Sequence, residues 1–150
     1  MIIFSLWARD GFPSFQEYYD AYAQIAKELT GEKELGQIFL FGQPRSDLKV
    51  AVTSGPDSVE MTYPEGNVTS PVTYSSIHSR EIAYQSYRYL LVVNDAGKPV
   101  EALVSGFPAR ESKVQEVLSE TPVEIGADGV IKISLEPWGV KLLRFERKGA

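Results

Sequence analysis

The last sixty residues, from Tyr89 to Arg147, constrain the fold of this chain more than any other stretch. Apolar runs of strand length alternate there with turn residues, in the order YLLVVND, AGKP, VEALVSG and VIKISLEPWGVKLLRFER. From residue 131 to residue 135 the apolar side chains occupy every second position. A period of two is typical of a strand that has one buried face and one solvated face. The stretch therefore predicts successive strands of an antiparallel sheet.

The same alternation occurs earlier in the chain, over residues 48–53 and 59–63. Turn residues stand between the runs, at Gly55-Pro56-Asp57, Pro64-Glu65-Gly66-Asn67, Asn94-Asp95-Ala96-Gly97, Asp128-Gly129 and Pro137-Trp138-Gly139. In residues 70–86 polar side chains interrupt the pattern. Seven to nine short strands at about this spacing predict a β-sandwich of two antiparallel sheets.

One helix is predicted before the strands, over Phe15–Thr30. Ser14 precedes it as a candidate N-cap, and Glu17 three residues on completes a capping box. Its apolar residues recur at spacings of three and four and form one broad face. They are Phe15, Tyr18, Tyr19, Tyr22, Ile25, Ala26 and Leu29. Gly31 stands where a left-handed C-terminal cap is expected. The predicted fold class is mainly β, an antiparallel two-sheet sandwich preceded by one amphipathic N-terminal helix.

Length and charge narrow the class of protein. A chain of 150 residues fits a single domain, with a strand and helix in residues 1–35 and the sandwich in residues 36–150. The net charge of -5 disfavours nucleic-acid and anionic-membrane partners, which require basic surfaces. The absence of cysteine excludes disulfides and thiolate chemistry. The apolar run at residues 2–7 is too short to span a bilayer and lacks the marks of a signal peptide, so we expect a soluble protein, with the cytoplasm as the default compartment.

Motifs of known catalytic chemistry are missing from the sequence. It contains no G-x-S-x-G elbow, Walker loop, dinucleotide-binding glycine motif or H-E-x-x-H. Its single histidine, His78, has no cysteine or acidic cluster beside it and is expected at the surface. Acidic residues are expected on solvated faces, among them Glu17, Asp20, Glu28, Glu60, Glu101, Glu116 and Glu124. We therefore expect no catalytic residue, no metal site and no cofactor.

Aromatic side chains are the remaining candidates for ligand binding, because the apolar face of a sugar ring complements a π surface. The candidates are Trp7, Trp138, Tyr84, Tyr87 and Tyr89. On one regular strand Tyr87 and Tyr89 share a face and Tyr84 points to the other. Core or corner packing is the expected role of Tyr89 and Trp138. Tyr84, Tyr87 and Arg88 are the predicted ligand-binding residues.

The order of elements resembles a known arrangement. A short apolar strand, an aromatic amphipathic helix, a loop carrying GQPRSD and a β-sandwich follow one another. The sandwich part resembles the C-terminal β-sandwich accessory domain of TIM-barrel glycoside hydrolases, on the runs YLLVVND, VEALVSG and ADGVIKISLEPWGVKLLRF. Residues 2–29 are similar to the last strand and helix of the barrel. The resemblance implies a non-catalytic domain with a structural or carbohydrate-associated role, since the catalytic carboxylates of such enzymes lie on earlier barrel strands.

Two other interpretations stay open at this point. The chain could be a free-standing carbohydrate-binding module that uses its tyrosines. It could also be an interaction subunit that completes a separately encoded barrel or associates with itself. In that case the association face consists of Phe15, Tyr18, Tyr19 and Tyr22 on the helix, because an uncovered apolar face of this size favours association. We expect a homo-oligomer, with residues 1–29 in the contact, and the sequence names no particular sugar.

Overall fold

The computed structural model describes residues 15–31, 33, 35–61, 71–107 and 113–146, and for residues 15–19, 21, 22 and 146 it describes the backbone alone. The expected N-cap Ser14 and the expected strand at residues 2–7 lie outside the described residues. The chain divides into two compact units, residues 1–40 and residues 41–150. No helix among the described residues is long and apolar enough to cross a membrane.

Helix α1 spans Phe15–Thr30, as the three- and four-residue spacing predicted. Gln24 donates a hydrogen bond to Glu28 one turn on (2.7 Å), and the Thr30 hydroxyl donates to the Ala26 carbonyl (2.8 Å). The expected left-handed cap at Gly31 was wrong, because this glycine does not have a positive φ. A Cβ at Gly31 would lie 2.5 Å from the Lys27 carbonyl oxygen. Glycine is needed there for the close approach of the backbone.

A second helix, α2, spans Leu35–Phe41 and was not predicted. Leu35 and Ile38, three residues apart, are both buried, while Leu40 and Phe41 are 77% and 72% exposed. Seven residues are too few to show a clear helical period, and Gly36 lowers the helix propensity of the run. A short apolar run of this kind is indistinguishable from a strand by its sequence pattern.

Eleven strands occur in the described part of the second unit. They are β1 (Gln43–Arg45), β2 (Lys49–Ser54), β3 (Ser58–Met61), β4 (Val72–Ser75), β5 (Ile77–Tyr84), β6 (Tyr87–Asn94), β7 (Val100–Ser105), β8 (Val114–Glu116), β9 (Thr121–Val123), β10 (Ile131–Leu135) and β11 (Val140–Glu146). A six-stranded sheet has the order β1-β5-β6-β11-β8-β9, and a three-stranded sheet has the order β10-β7-β2. β3 and β4 form a separate two-stranded sheet, which is additional to the two sheets predicted. All paired strands are antiparallel, which confirms the predicted mainly β fold class.

The hydrophobic core contains side chains from both larger sheets. β10 shows the alternation most clearly, because its three apolar residues are buried while Lys132 and Ser134 are exposed. Lys132 forms an ion pair with Glu101 of the neighbouring strand β7 (2.9 Å) on the solvated side of that sheet. The core cluster contains Leu48, Leu90, Val92, Ala102, Val104, Val114, Ile131, Ile133, Leu135, Leu143 and Phe145. One cluster drawn from two sheets is the packing of a β-sandwich.

Candidate functional site

The predicted ligand-binding tyrosines lie on a β-hairpin. Strands β5 and β6 are joined by Gln85 and Ser86, and Tyr84 lies directly opposite Tyr87 in their register. Residues that pair across two strands have their side chains on the same face, as do residues two apart on one strand. Tyr84, Tyr87 and Tyr89 therefore share one face of the six-stranded sheet. The expectation that Tyr84 faces the other way was wrong, because it assumed a single regular strand through residues 84–89.

Close aromatic and cationic contacts connect this tyrosine face. The rings of Tyr87 and Tyr89 meet edge to face, with centroids 6.4 Å apart. The Arg144 guanidinium lies 5.0 Å from the centroid of Tyr87, and Arg144 pairs with Tyr89 in the register of β11 and β6. Gln115 accepts a hydrogen bond from Arg144 (2.5 Å). One side of the Tyr87 ring is therefore already in contact with a cation, while Tyr84 and Tyr87 are both half-buried.

Tyr89 is buried, as expected for a packing residue. Burial raises the pKa of its phenol, because the phenolate would lose its hydration, and the positive charge of Arg144 opposes part of that rise. Tyr89 therefore stays neutral at physiological pH. Its role on this face is that of a packed aromatic beside the more accessible rings of Tyr84 and Tyr87.

Arg88 does not lie with the tyrosines. It follows Tyr87 on β6 and so projects from the opposite face of the sheet. There its guanidinium pairs with Glu81 and with Asp47 (2.8 Å) and lies 5.3 Å from the ring centroid of Phe145. Glu81 also accepts hydrogen bonds from the backbone amides of Asp47 (2.8 Å) and Leu48 (3.0 Å). Arg88 is thus part of a partly buried ion-pair network that attaches the chain before β2 to strand β5.

Glu116 is a second buried carboxylate, although it was expected on a solvated face. Its oxygens accept hydrogen bonds from the amides of Leu118 (3.2 Å), Ser119 (2.5 Å) and Leu142 (3.2 Å), and from the Ser119 hydroxyl. Burial alone would raise the pKa of Glu116, but these donors stabilise the carboxylate and hold its pKa below the ordinary value.

The remaining titratable residues form no reactive cluster in the described ranges. His78 is exposed, as expected, with its ring stacked on Tyr74 at 6.0 Å and its Nε2 3.8 Å from an Asp95 oxygen. No group of three histidine, cysteine or acidic side chains that could hold a metal occurs among the described residues. A pocket of about 510 Å³ lies along β8 and β9, and Glu120 is the acidic residue that lines it. Glycoside hydrolysis uses a pair of carboxylates, and the described lining of this pocket contains one.

Trp138 is a large exposed aromatic side chain, with 64% of its surface accessible to water. It lies in the corner between β10 and β11 and has a left-handed backbone with φ 59°. That conformation costs a residue with a side chain roughly 1–2 kcal/mol. A Cβ at Gly97 would lie 3.4 to 3.9 Å from the Cζ2, Cε2 and Nε1 atoms of the indole, so this part of the ring lies next to Gly97. Corner packing was expected for Trp138, and its high exposure was not.

Hydrogen bonds fix the corner that carries Trp138. Its amide donates to the Ala96 carbonyl (3.2 Å), and the Gly139 amide donates to the Glu136 carbonyl (2.8 Å). The buried Asn94 amide group donates to the carbonyls of Lys98 and Glu136, both at 2.8 Å. These bonds connect the turn after β6 to the turn after β10. The sequence indicated both turns but gave no sign that a buried asparagine joins them.

The helix residues predicted for association are placed by their backbone only. Phe15, Tyr18, Tyr19 and Tyr22 belong to α1, but their side chains lie outside what the structure describes. Two later residues of the same helical face, Ile25 and Leu29, are 51% and 37% exposed. The association face therefore stays a prediction, with two exposed apolar residues that extend it.

The chain is similar in structure to parts of larger enzymes. No protein-family model matches it, and no curated protein matches its sequence. An α-amylase from Anoxybacillus is similar over 53% of this chain and 17% of its own, at 14% identity and a TM-score of 0.42. A β-galactosidase from Bacillus circulans sp. alkalophilus is similar over 48% of this chain and 9% of its own, at 17% identity and a TM-score of 0.35.

A third similar structure is a catalytic mutant of a GH42 β-galactosidase from G. stearothermophilus, over 88% of this chain and 13% of its own, at 14% identity and a TM-score of 0.38. The chain thus spans less than a fifth of the length of each of these three structures. The expected likeness to glycoside hydrolases recurs among solved structures. Similarity at this level identifies neither a binding site nor an activity.

Proposed function

We propose that the chain is a non-catalytic β-sandwich domain similar to the C-terminal accessory domains of glycoside hydrolases, with a structural or carbohydrate-associated role. The observation that supports it best is the state of the two buried carboxylates. Glu81 is engaged by Arg88 and two backbone amides, and Glu116 by the amides and hydroxyl around it. A catalytic acid or base must instead reach the substrate in a cleft.

The geometry of glycoside hydrolysis supports the same proposal. The reaction requires two carboxylates about 5 to 10 Å apart on either side of the scissile bond. Glu81 accepts from three internal donors and Glu116 from four, so most of their acceptor sites are occupied within the fold. Described acidic residues such as Glu60 and Glu124 are exposed on strands or loops and do not line the pocket along β8 and β9.

The test is a hydrolysis assay on the purified chain. The nitrophenyl α-glucoside and β-galactoside are suitable substrates, because the similar structures include an α-amylase and β-galactosidases. We expect no release of nitrophenol above the uncatalysed rate. Glu81→Gln and Glu116→Gln serve as matched variants. Hydrolysis by the parent chain that disappears with a single Glu→Gln change would refute the proposal.

A free-standing carbohydrate-binding function is the second candidate. It is favoured by the shared face of Tyr84 and Tyr87 and by the partial exposure of both rings. The contact of Arg144 with Tyr87 weighs against it, because it covers one side of that ring. Affinity electrophoresis in gels that contain soluble glucan or galactan distinguishes the two. On this candidate, Tyr84→Ala removes the retardation and Tyr74→Ala, a change of another half-buried tyrosine, leaves it intact.

Partners of the proposed domain follow from its exposed helix residues. The candidates are a second copy of the chain or a catalytic barrel subunit, with α1 providing the contact. Ile25 and Leu29 support this choice, since both are apolar and exposed on the predicted association face. A carbohydrate remains the candidate small ligand. The acidic net charge gives no support to a nucleic-acid or membrane partner.

A further inference from the structure

The corner between β10 and β11 presents an exposed tryptophan that contributes little to the fold. Trp138 is 64% exposed, so most of its indole surface is in contact with water. Its backbone has a φ of 59°, a conformation that glycine adopts with less strain than tryptophan. A residue chosen for stability at this position would be small and free of that strain. The side chain therefore points to a role outside the core.

We propose that the Trp138 corner is a saccharide-binding site, in which a pyranose ring stacks on the exposed surface of the indole. The Nε1, Cε2 and Cζ2 atoms of the indole lie next to Gly97, and with Trp138 64% exposed most of the side chain is accessible to a ligand. The C–H groups on one face of a pyranose match the negative face of an aromatic ring. Indole is the largest of the aromatic surfaces and suits a sugar ring in size.

Polar residues in the two turns of this corner favour a sugar over a protein as the occupant of the site. Asp95 lies next to Ala96, whose carbonyl accepts the Trp138 amide, and the exposed His78 is 3.8 Å from the Asp95 carboxylate. Glu136 is exposed two residues before Trp138. Carboxylates and imidazole accept and donate hydrogen bonds to sugar hydroxyls. One flat apolar surface with polar groups around it fits a single sugar ring better than the broad apolar core of a protein interface.

The corner is also held in place before any ligand binds. Asn94 is fully buried and bonds to the backbone at Ala96, Lys98 and Glu136. The Trp138 and Gly139 amides add two further bonds across the same corner. A binding residue that is already fixed in position loses less conformational entropy when the ligand arrives. This site is distinct from the tyrosine face. The proposal rests on the carbohydrate-associated role within the proposed function.

Fluorescence of a single-tryptophan protein tests the proposal. Trp7→Phe leaves Trp138 as the one tryptophan of the chain. This protein is titrated with cellohexaose and with maltohexaose, which present pyranose rings in a flat and in a helical chain. We expect a saturable change of the emission with at least one of them at millimolar concentrations. No change with either oligosaccharide, while hydrolysis is also absent, overturns the Trp138 site and leaves the non-catalytic role intact.

Two variants of the parent chain then test whether Trp138 is the binding residue. Their affinities for the oligosaccharide are measured by calorimetry. Trp138→Gly removes the ring and relieves the backbone strain, so it keeps the fold and is expected to weaken binding about tenfold or more. Met61→Ala, which removes another exposed apolar side chain, is the control and is expected to bind as the parent chain does. Unchanged affinity in Trp138→Gly contradicts the proposal. So does a concentration-dependent self-association that Trp138→Gly abolishes, because the tryptophan would then be a protein contact.

Discussion

Glu116 stabilises the turn after β8 by its negative charge. Four donors point at its carboxylate, and the residue is 4% exposed. Glu116→Gln replaces the charge with an amide whose NH2 group faces donors, and hydrogen bonds to charged groups contribute about 1.5–3 kcal/mol. We expect the free energy of unfolding at neutral pH to fall by about 1–3 kcal/mol. Urea denaturation followed by circular dichroism measures it.

The lowered pKa of Glu116 gives this prediction a pH dependence. Because the folded-state pKa lies below the ordinary value of 4.5, the stabilisation is present above that pH and is lost as the pH falls through the folded-state pKa. The parent chain should lose stability more steeply in acid than Glu116→Gln. Glu124→Gln, a change of an exposed glutamate, is the control and should keep the acid dependence of the parent. Equal acid slopes in the parent and Glu116→Gln would contradict this account.

The burial of Glu116 and Glu81 was beyond the reach of the sequence. The alternation of apolar residues does not decide which face of the sheet either glutamate occupies, and a lone glutamate is most often solvated. Both glutamates can be buried because partners distant in sequence compensate their charge. Arg88 is seven residues from Glu81, and Leu142 is 26 residues from Glu116. Such pairs form only once the strand order is known. Tyr89, by contrast, could be assigned to packing because the apolar residues that follow it continue the strand.

The β5–β6 hairpin carries a strained residue in its turn. Gln85 has a φ of 52°, whereas Ser86 does not have a positive φ. The left-handed conformation costs a residue with a side chain roughly 1–2 kcal/mol, and glycine removes that strain. Glycine also loses more conformational entropy on folding, which offsets about 0.5–1 kcal/mol of the gain. Gln85→Gly should therefore raise the free energy of unfolding by about 0.5–1 kcal/mol. Chemical denaturation of the purified variant measures the difference.

Ser86→Gly is the matched control for the hairpin. It introduces the same flexibility at the neighbouring position, where no left-handed strain is relieved, so it should lower the stability by about 0.5–1 kcal/mol. Opposite signs in the two variants support the turn geometry, and with it the placement of Tyr84 opposite Tyr87. If both variants lose stability equally, Gln85 is not strained and the shared face of the tyrosines is in doubt.

Elements with a strong local pattern could be predicted, and those without one could not. The predicted bounds of the periodic helix α1 and of the alternating strand β10 match the structure. The hairpin at Gln85 and Ser86 was missed because it lacks the glycine or asparagine that mark tight turns. β5 was missed because it is exposed at residues 78–80 and buried at residues 81–83, so it shows no alternation. Both failures arise where tertiary contacts override local preference.

At the scale of the whole molecule, the two larger sheets separate the residues of the core from those proposed to bind ligands. Their inner faces form one apolar core, and the side chains proposed for ligands are outside it. The sequence predicted this core from the alternation in residues 131–135 and the apolar run at residues 89–93. It also placed the tryptophan of the corner among the candidates for sugar stacking. It could not show the exposure of Trp138, which depends on how Asn94 joins two distant turns.

Association through α1 is the prediction that concerns the molecule as a unit. The predicted face has Tyr18 and Tyr22 at helical spacing with Ile25 and Leu29, and the last two are exposed. Removal of apolar surface from water contributes about 25 cal/mol per Å², so a few hundred Å² favour pairing by several kcal/mol before the cost of association. We expect a twofold dimer at micromolar concentrations, measured by light scattering.

Variants on two sides of α1 decide whether this face is the contact. Changing Tyr18, Tyr19 and Tyr22 to Ser should weaken the dimer by about tenfold or more, because each change removes a large aromatic surface. Lys27→Ser alters the opposite side of the helix and should leave the dimer unchanged, since position 27 lies about 200° around the helix from position 25. A parent chain that is monomeric at these concentrations contradicts the prediction. A dimer that survives the three changes but not Trp138→Gly moves the contact to the corner and counts against the saccharide site as well.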